Sequence, residues 1–158
     1  MKKRKGKKDF FCFLLFTLYF SLFAASSQSL TIEAGLGYVG QGNSQYLDYF
    51  KVGAKAFLPV SEGVDLYVSP YWMGGFGIDA GASFKLPLTI QDLEGFRSYV
   101  GAGLSLTQRR FGFALSAAVR YEFSNQAALV LTYTHRPLFG PSLSQAFDIS
   151  FGVNFRLR

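Results

Sequence analysis

The sequence predicts an all-β fold: an eight-stranded antiparallel up-and-down transmembrane β-barrel, preceded by a cleaved signal peptide. Three observations predict it. Apolar residues alternate with small or polar ones over eight segments between residue 30 and the end of the chain, as they do in strands with two unlike faces. The first 29 residues are laid out as an export signal. The composition is 49% hydrophobic, 18% aromatic and only 16% charged, against about 25% charged in ordinary globular chains. A chain of 158 residues holds one domain.

The N-terminal segment has three parts. Lys2, Lys3, Arg4, Lys5, Lys7 and Lys8 form a cationic start, Phe10 to Ala25 is apolar, and Ala24 to Ser29 is small and polar. The apolar run of 16 residues is shorter than the roughly 20 a membrane-spanning helix needs. Residues 1–29 are therefore expected to be a signal peptide and residues 30–158 the barrel. Small residues at −3 and −1 suit cleavage after Ser27 or Ser29. Cys12, the single cysteine, sits at the start of the apolar run, whereas a lipidated cysteine should follow it. Removing the signal leaves no thiol for a disulfide. It also removes the basic character. Of the net charge of +6, the excess lies in the first nine residues, and ten positive charges face nine negative ones after them. No basic face remains for nucleic acid.

The strands follow in order. Leu30 to Val39 sets Leu30, Ile32, Ala34, Leu36 and Tyr38 against Thr31, Glu33, Gly35 and Gly37. Asp48 to Leu58 sets Phe50, Val52, Ala54, Ala56 and Leu58 against Tyr49, Lys51, Gly53 and Lys55. Val64 to Trp72 sets Val64, Leu66, Val68, Pro70 and Trp72 against Asp65, Tyr67, Ser69 and Tyr71. Gly77 to Leu86 sets Ile78, Ala80, Ala82, Phe84 and Leu86 against Asp79, Gly81, Ser83 and Lys85. Arg97 to Thr107 and Phe111 to Phe123 repeat the pattern, the latter with Arg120 and Glu122 on its small-residue face. Ala127 to His135 does so less cleanly, because Val130 interrupts the polar face. Phe147 to Arg158 alternates without a slip. The turn signals "PVSEG", "GGFG", "SNQ" and "RPLFGPS" separate strands. "GQGNSQYL" (40–47) reads as a polar loop, and "PLTIQDLEG" (87–95) as a long connector with room for a helical turn.

The apolar face is expected to meet lipid. The opposite faces are rich in Gly, Ser, Ala and Tyr and carry few charges, which suits a crowded interior. Aromatics gather near strand ends: Tyr38, Phe50, Trp72, Phe111, Tyr133 and Phe147 at one, Phe84, Phe96, Tyr121, Phe123 and Phe155 at the other. Two girdles around an apolar band mark a transmembrane barrel. Eight tilted strands of about 9–11 residues each fit into residues 30–158, whereas sixteen do not.

A signal peptide, eight alternating strands and the C-terminal "FGVNFRLR" together resemble the small outer-membrane β-barrel proteins of the OmpA-transmembrane and OmpX type. The likeness spans residues 30–158 and lies in pattern, not in a motif. It implies a bacterial outer-membrane protein exported through the periplasm, with a structural, adhesive or envelope-stabilising role and no catalysis. It implies outer-membrane lipid and lipopolysaccharide as surroundings, and periplasmic chaperones and the barrel-assembly machinery as partners in biogenesis. In that family the last strand carries the assembly signal and usually ends on Phe or Tyr. Phe151, Val153, Phe155 and Leu157 keep the phase here, while Arg158 is terminal. With the chain ends in the periplasm, "VSEG" and "SNQ" become short periplasmic turns. "GQGNSQYL" and "RPLFGPSLSQ" become the first and fourth outer loops, with tight second and third loops near Gly74–Gly75 and Arg109–Arg110.

Chemistry-bearing residues are few. One histidine, and no cysteine after the signal, cannot make a zinc site, and no cofactor is expected. Two other readings deserve a test. Some eight-stranded barrels modify lipid A, and their deacylases carry a His-x-Ser pair at the end of a strand. Here His135 is followed by Arg136 and Pro137, with Asp148 the nearest following carboxylate. The second is a soluble periplasmic lipocalin-like carrier, which would turn its apolar face inward. The lumen charges say more. Glu33, Asp65, Asp79, Glu122 and Asp148 balance Lys51, Lys55, Lys85, Arg120 and Arg156 on the inward faces. Five against five suggests ion pairing inside a barrel of a size that side chains fill.

Overall fold

The computed structural model describes residues 28–41, 45–87, 95–108, 110–140 and 143–157. Eight strands form one closed sheet: β1 (Ser29–Gln41), β2 (Gln45–Ser61), β3 (Val64–Met73), β4 (Phe76–Leu86), β5 (Phe96–Thr107), β6 (Phe111–Glu122), β7 (Ala127–Phe139) and β8 (Ser144–Arg156). Each pairs antiparallel with its chain neighbours, and β1 closes on β8 with Ala34 opposite Phe151. Closure gives every strand a partner on both sides, which lipid demands of any backbone it surrounds.

The two faces are sorted as the alternation requires. Ile32, Leu36, Phe50, Leu104, Phe113, Ile149 and Phe151 are all more than half exposed. Thr31, Glu33, Lys51, Asp79, Thr132, Arg136, Asp148 and Asn154 are buried. A water-soluble protein shows the reverse. Both girdles lie outside: Tyr38 packs on Phe147 with ring centroids 5.5 Å apart, and Phe96 on Tyr121 at 4.8 Å. Val130, which interrupts the alternation of β7, points inward and is 6% exposed. It fills lumen volume beside Thr132 and Phe57.

The outer loops depart from expectation. β1 runs on to Gln41 and β2 starts at Gln45, so most of "GQGNSQYL" is strand. β7 passes through Arg136 and Pro137 to Phe139, and β8 starts at Ser144, so most of "RPLFGPSLSQ" is strand too. Pro137 is accommodated opposite Gln145. Polar and turn-forming residues mislead here because the register of the neighbouring strand extends the ladder. β8, β1 and their partners β7 and β2 are adjacent, so these long strands raise one side of the outer mouth. The other side is low: Gly74 and Gly75 alone join β3 to β4. At the inner end Glu62 and Gly63 turn β2 into β3, Gly63 with a φ of 80°. The expected signal peptide and the possible helical turn in 87–95 fall on residues that, for the most part, lie outside the described ones.

Candidate functional site

Five strands bring five charged side chains to one level of the lumen. Lys51 of β2 reaches across the interior, and its Nζ donates to Glu33 Oε1 on β1 and Asp148 Oδ1 on β8, each at 2.7 Å. Ser150 Oγ lies 3.4 Å from the same ammonium. Arg136 of β7 donates from Nε and Nη2 to the Asp79 carboxylate on β4 at 2.8–3.2 Å. Its Nη1 donates to Asp148 Oδ2. Asp148 therefore bridges the two cations, one on each oxygen. All five residues are buried, and charge-assisted bonds at this depth are the strong kind.

An aromatic plate covers the cluster. The Arg136 guanidinium carbon stands 4.4 Å from the Tyr71 ring centroid, within cation–π reach. Tyr71 Oη is 3.4 Å from Ser105 Oγ. The ring can lie there because Gly77 on β4 leaves room: a Cβ at that position would come within 2.4 Å of Tyr71 Cζ. Below the cluster, Lys55 sits 4.5 Å from the Tyr67 ring centroid and lines, with Glu33, a void of about 20 Å3. That is room for about one water molecule. Near the inner mouth, Glu122, Arg120, Asn154 and Arg156 line a second void of about 10 Å3.

The ten charges expected to pair in the lumen thus divide. Glu33, Lys51, Asp79 and Asp148 meet in the cluster, and Lys55 lies beside it. Arg120 stacks against Tyr99 and Phe57 at 4.7 and 5.6 Å. Glu122 and Arg156 approach to 3.6 Å at the inner rim, where Arg156 is largely exposed. Asp65 and Lys85 make no ion pair among the described residues, and Lys85 is exposed. Arg136 was absent from the expected set. A strand ended at His135 hides it, although inward phase continues unbroken from Thr132 through Thr134 to Arg136. That phase is the signal that would have found it.

His135 lies on the other side of the wall. It is paired with Leu115 and Phe147, and its ring meets Phe147 edge-on at 6.4 Å. Asp148 points inward and is held by Lys51 and Arg136. The barrel wall separates the two, so this carboxylate cannot orient that imidazole. Phe151 and Phe155 of the expected assembly signal are exposed on the outer face, Val153 is half-buried, and Leu157 follows the end of β8.

No protein-family model and no curated protein matches the chain. Solved structures do. Neisserial surface protein A superimposes with a TM-score of 0.70 at 14% identity, covering 82% of this chain and 96% of that one. The N-terminal β-barrel domain of Pseudomonas aeruginosa OprF gives 0.52 at 17% identity, covering 82% and 98%. A transmembrane β-barrel designed de novo gives 0.55 at 17% identity, covering 82% and 95%. The designed barrel shows that this shape can be specified without an inherited activity. Taken with the apolar exterior and the polar, filled interior, these likenesses establish the fold of this chain as that of the small eight-stranded outer-membrane β-barrels.

Proposed function

We propose that the chain is an integral protein of the bacterial outer membrane, with a lumen closed by its own side chains and a structural, adhesive or envelope-stabilising role that involves no catalysis. The ion cluster is the observation that supports closure. Glu33, Lys51, Asp79, Arg136 and Asp148 tie five strands together across the interior, and Tyr71 lies over them. An ion crossing this level would have to break a charge-assisted bond. The voids beneath hold about 20 and 10 Å3, too little for a hydrated path. The apolar exterior supports insertion in lipid and opposes a soluble carrier. The placement of His135 and Asp148 on opposite faces opposes a lipid A-modifying site built on that pair.

In the membrane the barrel's neighbours are outer-membrane lipid and lipopolysaccharide. During biogenesis its partners are periplasmic chaperones and the assembly machinery that reads the last strand. Planar-bilayer recording tests closure. The purified protein should show little or no steady conductance, while Lys51→Ala combined with Arg136→Ala should raise it. Large, stable, voltage-tolerant openings in the unaltered protein would refute a closed lumen. Mass spectra of lipid A from cells with and without the gene test the absence of catalysis: an acyl pattern that changes, and reverts with His135→Ala, would revive the enzyme.

A further inference from the structure

Above the ion cluster the lumen opens into a cavity of about 410 Å3 at the end opposite the chain termini. Part of its lining is apolar: Tyr71, Met73, Leu138 and Ala146 form one buried cluster with Val39 and Tyr49 packed against it, while Thr107, Gln108 and Arg110 supply a polar part. A single charged residue, Arg110, is among the lining residues described, and no carboxylate is. Arg110 is half-buried, and its Nη1 is covered by protein and has no hydrogen-bond partner among the described residues, so a ligand in the cavity would meet the guanidinium through Nε and Nη2. A guanidinium carries five donors and recognises planar anions in two-pronged fashion. Its backbone is held in place: Arg110 N donates to Thr107 Oγ1 at 3.1 Å, and Thr107 N donates to Arg110 O at 2.8 Å. Across the mouth, Gly74 has a φ of 63°, and a Cβ there would strike the Tyr49 ring at 2.2 Å. The rim is therefore shaped by glycine so that an aromatic wall can stand beside it.

We propose that this cavity binds a single-chain amphiphile with an anionic head, a medium-chain carboxylate. Its carboxylate would pair with Arg110 and its chain would lie on Met73, Leu138, Val39 and Ala146. The volume sets the length: at about 30 Å3 for each water-sized group, it holds roughly a dozen heavy atoms, near the lower end of small-molecule pockets at about 300–1,000 Å3. Charge sets the head: among the described residues Arg110 is the one charged group lining the cavity and makes no ion pair, and the three carboxylates beneath, Glu33, Asp79 and Asp148, are matched by Lys51, Arg136 and the neighbouring Lys55, so no net negative charge opposes an anion. Met73 suits the role, since an unbranched thioether adapts to chains of different shape. The inference is independent of whether the lumen conducts.

The chain offers its own reporter. Its methionines are Met1, in the expected signal peptide, and Met73, in the cavity wall. The protein is labelled with 13C-methyl methionine, purified from membranes into lipid nanodiscs and titrated with octanoate and with octanol at pH 7. Octanoate should shift the Met73 methyl resonance saturably, and octanol should bind at least tenfold more weakly. Arg110→Gln should weaken octanoate at least tenfold and leave octanol unchanged, while Arg110→Lys, which keeps the charge but not the two-pronged contact, should fall between the two. A linear, non-saturating shift that matches partition into empty nanodiscs would overturn the proposal. So would equal affinities for octanoate and octanol in the unaltered protein, a comparison that needs no variant to fold. Bilayer conductance measured on the same preparation reports separately on the closed lumen.

Discussion

Arg136 is the side chain on which the interior closes. It binds Asp79 through two nitrogens, engages Asp148 through a third and lies against Tyr71. Buried ion pairs contribute little net stability when compared with apolar residues of the same shape, yet removing one partner strands a charge and costs about 3–5 kcal/mol. Arg136→Ala should therefore destabilise the barrel by about that amount in urea unfolding from lipid vesicles. Arg136→Met combined with Asp79→Leu and Asp148→Leu should recover much of the loss, because no buried charge on those three residues is then left alone. A single variant as stable as the unaltered protein would show that water reaches the cluster freely.

At the scale of the element, β8 sorts its residues strictly by face. Phe151 is 55% exposed toward lipid, while Asn154 is 4% exposed and donates to Thr31 Oγ1 at 2.9 Å. A lysine facing lipid near mid-membrane costs roughly 2–4 kcal/mol. Losing the Asn154 bond at a polar, lumen-facing site costs nearer 1 kcal/mol. Phe151→Lys should thus cut the folded fraction in vesicles strongly, and Asn154→Lys mildly. The reverse order would mean that the faces are exchanged, as a one-residue slip would do. β1 yields a second expectation. Gln28 N donates to Phe57 O at 3.0 Å, and Gln28 O accepts from Leu157 N at 2.8 Å. Cleavage after Ser29 would remove both bonds, whereas cleavage after Ser27 keeps them. N-terminal sequencing of the exported protein should begin at Gln28; a start at Leu30 would show that the peptidase ignores this pairing.

The whole molecule is an inverted protein, with charge inside and large apolar residues outside. Strands of 10 to 17 residues exceed or match the roughly 9–11 that cross a bilayer when tilted. The surplus lies mostly in β1, β2, β7 and β8, of 13 or more residues each. It makes a raised flank beside the outer cavity. Such a surface has no stable home in water. In envelope fractionation the protein should stay with membranes through high-salt and alkaline washes and leave only with detergent. Release without detergent would show that the apolar exterior is covered by something other than lipid.

The sequence by itself determined the number of strands, their order and which face of each meets lipid. A period of two is a local property, readable along one segment such as 147–157 without knowledge of its neighbours. It also placed Glu33, Lys51, Asp79 and Asp148 on inward faces. The height at which each would stand was decided only by the tertiary structure, because height depends on the stagger between strands all around a closed barrel. That stagger sets Lys51 opposite Gly35 and Met73, Asp148 opposite Gly37, and Asp79 opposite Ser69, and so brings residues more than 100 positions apart into one cluster. It also carried β7 beyond His135. Proline and glycine in "RPLFGPS" are local arguments for a turn, but pairing with β8 kept the chain extended to Phe139. Arg136 entered the lumen by that extension, since a strand's length is settled by its partner as much as by its own residues.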